Sequence, residues 1–266
     1  MNPLPQSKVF LVILAAGQGT RLGPLTSNNP KCLVKLRNKS ILEHSLAEWK
    51  KVAEIEPLVV SGYLSDKIQG LTKVKNDEFN NSNMVYSLLC AREKIERSSH
   101  SYIYVSYGDI VCSAKNIKKL LMSDSDLSVV IDLNWKSFWQ LRMENILDDV
   151  ESLRITGGYI SEIGQPIKNL KQVEGQYIGI IKFKKEIILK ELANYQHEIL
   201  SSSDVRKTAK IKNMYMTDFL QSLIKKNISL KPVFIKGGWI EVDTETDLNV
   251  YEKTLNQTGS INGLIL

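Results

Sequence analysis

The stretch "LVILAAGQGTRLGPLTSNNPKCLVKL", residues 11–36, opens as a continuous apolar run and breaks at Gly17 and Gly19. It then presents Arg21 and a Pro30–Lys31 pair before turning apolar again. With the residues before it the run reads "KVFLVIL" over 8–14, the unalternating pattern of a strand buried on both faces of a parallel sheet. A strand that runs straight into a Gly-x-Gly loop offers backbone N–H groups that can cradle phosphate. Two familiar phosphate loops do not fit. Gly17-Gln18-Gly19-Thr20-Arg21-Leu22 lacks the Gly-Lys-Ser/Thr end of a Walker A loop. Leu22 stands where a dinucleotide fingerprint wants its third glycine, and a basic stretch follows where that fingerprint wants an acid. What remains is a glycine loop with Arg21 and Lys31 as cationic clamps and with Pro24 and Pro30 stiffening the excursion between them, a constellation sized for a triphosphate. Glycines also mark ordinary tight turns, and a lone lysine is most often a solvated surface charge.

Outward from this loop, "SILEHSLAEWKKV" (40–52) has Ser40 as N-cap, Glu43 three residues on, and Leu42, Leu46 and Trp49 at helical spacing, which predicts a crossover helix. "PLVVSGY" (57–63) reads as a second buried strand, "NSNMVYSLLCAREKI" (81–95) as a helix capped near 81–83, and "SYIYVSYGD" (101–109) as a third strand ending in an acid. Strand and helix alternate, so the first half predicts parallel strands with right-handed crossovers. The glycine loop, Gly62 and Asp109 fall at the carboxyl ends of those strands, the edge at which open α/β sheets bind ligands. In the second half "LSVVIDLNW" (127–135), "SLRITGGYISEIG" (152–164, turned at Gly157–Gly158) and "GQYIGIIKF" (175–183) read as strands of an antiparallel or mixed extension. An amphipathic helix "YMTDFLQSLIKKN" (215–227), a strand "LKPVFI" (230–235), the segment "GGWIEVDTETD" (237–247) and a last helix follow. The expected fold class is α/β, a Rossmann-like, mostly parallel mixed sheet flanked by helices with a small antiparallel extension. With no repeat or linker in view, residues 1–266 read as one domain, 1–130 forming a nucleotide-binding half and 131–266 an acceptor-binding half.

The 266 residues are 43% hydrophobic and 24% charged, ordinary values for a folded globular chain. The formal charge is +6, but the basic residues are scattered among 29 acids rather than clustered, so no nucleic-acid partner is expected. An anionic small substrate accounts for the excess, and so does a merely basic surface. Cys32, Cys90 and Cys112 show no CxxC spacing, which argues against zinc and disulfides and for a reducing, cytoplasmic setting. "MNPLPQSK" holds no cleavable apolar leader, and the apolar run at 9–16 is too short to span a bilayer, so no membrane insertion is expected.

At residues 14–36, "LAAGQGTRLGPLTSNNPKCLVKL" resembles the N-terminal motif of the nucleotidylyltransferases that activate sugar phosphates and small phosphorylated alcohols, L-A-A-G-x-G-x-R-L-x-P-x-T-x-x-x-P-K-x-L, with every defining position filled. "VSGY", "NNSNMVYSL", "SYGDIV", "GQYIGIIKF", "YMTDFL" and "GGWIEVDT" look like the cytidylyltransferase branch, similar to phosphocholine cytidylyltransferases and to enzymes that activate aminoalkylphosphonates or small phosphometabolites with CTP. The resemblance implies transfer of CMP from CTP to a small phosphorylated or phosphonate acceptor, with release of pyrophosphate and a CDP- or CMP-linked product used to decorate a surface polymer or lipid.

It implies a Mg2+ cofactor on Asp109 and Asp243, and nucleotide contacts from Leu14, Ala15, Ala16, Gly17, Gly19, Thr20, Gly62, Asn83, Ser87 and Gly108. Arg21, a planar fork, suits the β and γ phosphates, and Lys31, a point charge, suits the α-phosphate and the transition state. Either aspartate could instead cap a helix, and Asn83 could be only a cap. The acceptor is expected among Glu174, Tyr177, Asp218 and Trp239, where rings and carboxylates suit an ammonium group, with Glu151 nearby and with Trp135 and Trp139 read as core. The rival within the same chemistry is a sugar-1-phosphate uridylyl- or thymidylyltransferase. Outside it stand a non-catalytic nucleotide-binding relative and a dinucleotide-dependent oxidoreductase, which the missing third glycine disfavours. A homodimer is compatible with the sequence.

Overall fold

The computed structural model describes residues 8–266. The segment 1–7, most of the stretch in which no leader was read, lies outside the described residues. In chain order the elements that matter are β1 (Lys8–Ala15), α1 (Ile41–Lys50), β2 (Glu54–Ser61), β3 (Thr72–Lys75), α2 (Met84–Cys90), α3 (Arg92–Arg97), β4 (Tyr102–Tyr107), β5 (Ile110–Cys112), α4 (Ala114–Leu121), β6 (Leu127–Asp132) and α5 (Trp135–Arg142). Then come β7 (Leu153–Thr156), β8 (Tyr159–Ile163), β9 (Gln176–Lys184), α6 (Lys185–Ser201), α7 (Val205–Lys212), α8 (Met216–Lys225), β10 (Lys231–Ile235), β11 (Trp239–Glu241) and α9 (Glu245–Thr258). Seven strands form the main sheet in the order β10-β6-β9-β4-β1-β2-β3. Six run parallel, and β9 lies antiparallel between β4 and β6.

The run of β1 is unalternating because the sheet is covered on both faces. Val9, Leu11 and Ile13 join one core with residues of α1, α4, α5 and α9, while Phe10, Val12 and Leu14 join a second with residues of α2, α3, α6 and α8. Helix α1 starts as its sequence predicts. Ser40 Oγ accepts from the Glu43 N–H at 3.2 Å and Glu43 Oε2 accepts from the Ser40 N–H at 2.7 Å, a capping box whose loss costs about 1 kcal/mol.

Several elements differ from the sequence reading. Residues 81–95 make two helices, divided at Ala91, whose N–H bonds back to the carbonyl of Leu88. The strand expected to reach Trp135 stops at Asp132, because the Asp132 carboxylate accepts from the Asn134 N–H at 2.8 Å and turns the chain into α5. The hairpin at Gly157–Gly158 forms as a separate two-stranded sheet, β7–β8, whereas "GQYIGIIKF" enters the interior of the main sheet as β9. Helices α4, α6 and α7 lie where the sequence reading placed nothing. Among the described residues no helix is long and apolar enough to cross a membrane.

Candidate active site

The carboxyl ends of β1, β2 and β4 converge on one edge of the sheet, and there the glycine loop folds over a cavity of about 310 Å3. The close approaches are made by backbone. The Gly108 N–H bonds to the Leu14 carbonyl at 2.8 Å, and a Cβ at Gly108 would fall 2.7 Å from that of Ala15. Gly19 holds φ at +73°, the left-handed region, and a Cβ there would meet the Lys31 side chain at 2.8 Å. Thr26 Oγ1 donates to the Gly19 carbonyl at 3.0 Å and closes the loop. The loop is thereby tight enough to bring Lys31 back over the end of β1.

Asp109 and Asp243, far apart in sequence, meet because β5 and β11 pair antiparallel: Glu241 lies opposite Ile110, and the Val242 N–H reaches the Asp109 carbonyl at 3.1 Å. Lys31 Nζ sits between the two carboxylates, 2.6 Å from Asp109 Oδ2 and 2.7 Å from Asp243 Oδ1. Arg21 Nη1 takes the other oxygen of Asp243 at 2.6 Å, with most of its side chain in solvent. Neither acid caps a helix. Thr244 is the N-cap of α9, its side chain accepting from the Asp247 N–H, which leaves the Asp243 carboxylate to the site.

Charge in this cluster is shared among several groups. Burial alone would push the Lys31 ammonium towards neutrality, but Asp109, Asp243 and Glu241 outweigh it and hold its pKa above the ordinary lysine value. Burial pushes the Glu241 carboxyl up to about 7, with Arg142 opposing the shift and Asp109 and Asp243 adding to it. Asp247 also loses hydration, yet the hydrogen bonds and charge of Arg142 and the N–H groups of Asp243 and Thr244 carry it below the usual carboxylate range.

The donor set suits a hard divalent cation. Asp109 Oδ1 is buried without a hydrogen-bond partner, and two carboxylates from segments far apart in sequence line the cavity beside the glycine loop. Among the described residues no cluster of three or more His, Cys, Asp and Glu could hold a metal. Mg2+ commonly takes one or two carboxylates and completes its shell with water and substrate phosphates, a need that Asp109 and Asp243 can meet.

A second chamber of about 200 Å3 adjoins the first, with Met84 and Tyr107 lining both. Tyr177, Trp139, Tyr215, Asp149, Glu151 and Glu241 contribute to its wall. Tyr107 and Tyr177 meet edge to face at 5.9 Å. Burial raises the Asp149 and Glu151 carboxyls above the usual range; the Trp139 N–H, which reaches Asp149 Oδ2 at 3.0 Å, and a Thr217 hydrogen bond to Glu151 oppose those shifts.

The structure gathers Leu14, Ala15, Ala16, Gly17, Gly19, Thr20, Arg21, Lys31, Asn83, Ser87, Gly108, Asp109 and Asp243 around the first cavity. Asn83 does two jobs at once, since it lines that cavity while its side chain accepts from the Met84 N–H at 2.8 Å as the cap of α2. Gly62 does not line it but stands behind it, a Cβ there meeting the Ala16 carbonyl at 2.5 Å. The acceptor residues divide. Tyr177 lines the chamber, whereas Glu174 and Asp218 are exposed and outside its wall; Asp218 acts on it only through its charge on Glu151. Trp239 contributes to the wall but is 1% exposed, and its N–H is committed to Asp132 Oδ2 at 2.8 Å. Trp135 packs as core, and Trp139 is both core and wall. Sequence reasoning missed Tyr107, Asp149 and Glu241. Glu241 had a signal, two residues before Asp243 in an extended segment and hence on its side of the chain, while Asp149 had none.

The chain is similar to known proteins over most of its length. The pattern of the MobA-like NTP transferase domain matches residues 11–137. A CTP:phosphoglutamine cytidylyltransferase of Campylobacter jejuni is 36% identical over 248 residues, 90% of this chain and 97% of that protein. Two solved structures share the fold. A CTP:phosphocholine cytidylyltransferase from Streptococcus pneumoniae superposes with a TM-score of 0.68 at 20% identity, covering 93% of this chain and 99% of that one. An inositol-1-phosphate CTP transferase from T. maritima superposes with a TM-score of 0.66 at 16% identity, covering 96% of this chain and 100% of that one. A relative of this identity, aligned over nearly its whole length, settles the membership that the glycine loop first suggested: the chain belongs to the nucleotidyltransferase family, with a MobA-like NTP transferase domain.

Proposed function

We propose that the chain is a Mg2+-dependent cytidylyltransferase that transfers CMP from CTP to a small phosphorylated or phosphonate metabolite carrying an ammonium group. The observation that carries this reading is the juxtaposition of Lys31, clamped between Asp109 and Asp243, with a chamber whose wall holds three carboxylates and several rings. The Campylobacter relative, whose name gives CTP and a phosphorylated amino acid as its reactants, supports both the nucleotide and the acceptor class.

In this reading the backbone at 14–20 holds the nucleotide and its phosphates, and Arg21 swings from Asp243 to the β and γ phosphates. An acceptor phosphate oxygen attacks the α-phosphorus in line, the bond from that phosphorus to the oxygen bridging to the β phosphate breaks, and pyrophosphate leaves. Lys31 holds the α-phosphate as negative charge gathers there, so catalysis is mostly positioning and charge neutralisation. Mg2+, bound by Asp109 and Asp243, would supply further neutralisation of the phosphates. At the far end, Asp149, Glu151 and Glu241 with Tyr107 and Tyr177 hold the ammonium by ion pairing and cation–π contact. The test is pyrophosphate release from CTP, UTP, dTTP and ATP with each of phosphocholine, 2-aminoethylphosphonate, phosphorylated amino acids and sugar 1-phosphates. CTP with an amine-bearing acceptor is the expected best pair; preference for UTP or dTTP with a sugar phosphate would replace this reading by that of a sugar-phosphate enzyme.

A further inference from the structure

Behind the ion cluster lies a buried arginine that the proposed chemistry does not use. Arg142 ends α5 with its side chain 1% exposed, and it makes three charge-assisted hydrogen bonds. Nε donates to Asp247 Oδ1 at 2.9 Å, Nη2 donates to Asp247 Oδ2 at 3.2 Å, and Nη1 donates to Glu241 Oε2 at 3.0 Å. Its guanidinium carbon lies 5.3 Å from the centre of the Phe138 ring and 5.9 Å from that of Trp139, so its plane is fixed by rings as well as by acids.

Asp247 does more than a helix-capping residue requires. In an ordinary capping box the side chain at this position reaches back to one N–H, that of the N-cap. Here Asp247 Oδ2 accepts from Thr244 at 2.9 Å and also from the Asp243 N–H at 2.9 Å. The peptide that sets the direction of the Asp243 side chain is thus held by a carboxylate, and that carboxylate is held by the fork of Arg142. Only an arginine has donors spread widely enough to take both oxygens of Asp247 and one of Glu241 together; a lysine concentrates its donors at one point.

We infer that Arg142 is a positioning residue for the transfer reaction, fixing through Asp247 the backbone at Asp243 so that its carboxylate is presented to the metal and to Lys31. The inference rests on the proposed role of Asp243. Groups that orient a metal-holding side chain typically cost about 10- to 100-fold in metal affinity or activity when lost.

The experiment uses the full chain with Arg142→Lys, Asp247→Asn, Thr244→Ala and Asp243→Asn beside the wild type. CTP affinity is measured by calorimetry in Mg2+ and in EDTA, Mn2+ binding in the presence of CTP by electron paramagnetic resonance, and Tm by circular dichroism. Arg142→Lys and Asp247→Asn are expected to bind CTP in EDTA as the wild type does and to bind Mn2+ about 10-fold or more weakly. Thr244→Ala, which removes the cap hydroxyl and leaves the chain from Arg142 to Asp243 intact, is expected to lower Tm with Mn2+ binding unchanged. If Arg142→Lys does not fold, Asp247→Asn decides. Variants that lose Tm but bind Mn2+ as the wild type does would make Arg142 a strut and overturn the inference, as would a Thr244→Ala variant that weakens Mn2+ equally. An Asp243→Asn variant with undiminished Mn2+ binding would overturn the reading of Asp243, and this inference with it.

Discussion

The cavity proposed for the nucleotide and the chamber proposed for the acceptor share Tyr107 and Met84 as a common wall, yet they are built by different means. The first is lined by the glycine loop and by residues at the carboxyl ends of β1 and β4, with its charged side chains drawn into one cluster by the pairing of β5 with β11. The second is side chains brought together from α5, β9, the start of α8, β11 and the segment between α5 and β7. A scaffold made of backbone accepts little variation, whereas a wall made of side chains can change its ligand without disturbing the chemistry. Substitutions in the first cavity should therefore act on every acceptor alike, and substitutions in the second on the choice among acceptors.

The largest effect is expected at the two aspartates. Asp109→Asn and Asp243→Asn keep the shape and remove the charge that would hold Mg2+, so each should abolish pyrophosphate release with every acceptor. EDTA should do the same to the wild type, with Mg2+ restoring it. Undiminished turnover in excess EDTA, by the same assay, would remove the metal from the scheme. Next comes Lys31→Ala, expected to lower kcat by roughly 10²- to 10³-fold, the usual cost of one preorganised electrostatic donor, while the Kd for CTP moves far less. In metal-free buffer the same variant leaves Asp109 and Asp243 facing each other, so its Tm should fall there and recover when Mg2+ and CTP are added. A kcat within a few-fold of the wild type would take Lys31 out of the reaction.

The same division explains what could be read from the sequence. The glycine loop, Arg21 and Lys31 lie within one contiguous stretch, because a loop that wraps a ligand with its own backbone must carry its requirements locally. β1 was legible for a related reason, since burial on both faces leaves an unbroken apolar run. The chamber has no such stretch. Asp149 lies in an irregular segment, and what makes it part of the wall is the Trp139 N–H on its carboxylate and the packing of Phe138 and Trp239 beneath. Glu174 stands just before the family-like segment at 175–183 but is exposed beyond the chamber's edge. Helix α6 did carry a signal, with Ile188, Leu192 and Tyr195 at helical spacing; the strand β9 running straight into it hid the boundary.

A smaller effect tests the chamber directly. If Glu151 helps hold an ammonium group, Glu151→Gln should raise the KM of an amine-bearing acceptor by about tenfold, the equivalent of one ion pair of roughly 1.4 kcal/mol, and leave the KM for CTP alone. Burial raises the Glu151 carboxyl, with the charges of Asp218 and Asp149 adding to the shift, so it takes up its proton at a higher pH than an ordinary glutamate. The ion pair exists only while Glu151 is ionised. As pH falls through that raised value, kcat/KM for the amine acceptor should drop, and the drop should be missing from Glu151→Gln. The acceptor's own phosphate titrates near pH 6, so the ratio of the two enzymes, not either profile alone, carries the result. Parallel profiles across the range would remove Glu151 from acceptor binding.

The smallest catalytic effect, and the sharpest test of where chamber ends and core begins, is expected at Trp239. Asp132 is fully buried; its Oδ1 accepts from the N–H groups of Gly237 and Asn134, and its Oδ2 accepts from the Trp239 indole. Trp239→Phe keeps an aromatic ring against Phe138, whose centroid lies 4.9 Å from that of Trp239, and removes the indole donor to Oδ2. Leaving a buried acceptor short of a partner costs about 1–3 kcal/mol, which for a domain of this size corresponds to a Tm lower by roughly 3–10 °C. The acceptor KM should stay close to the wild type, since the polar end of the ring faces Asp132 and not the ligand. A variant with unchanged Tm and a KM raised tenfold for the amine acceptor, measured by thermal melts and steady-state kinetics on one preparation, would return Trp239 from the core to the acceptor and move the border between the two regions.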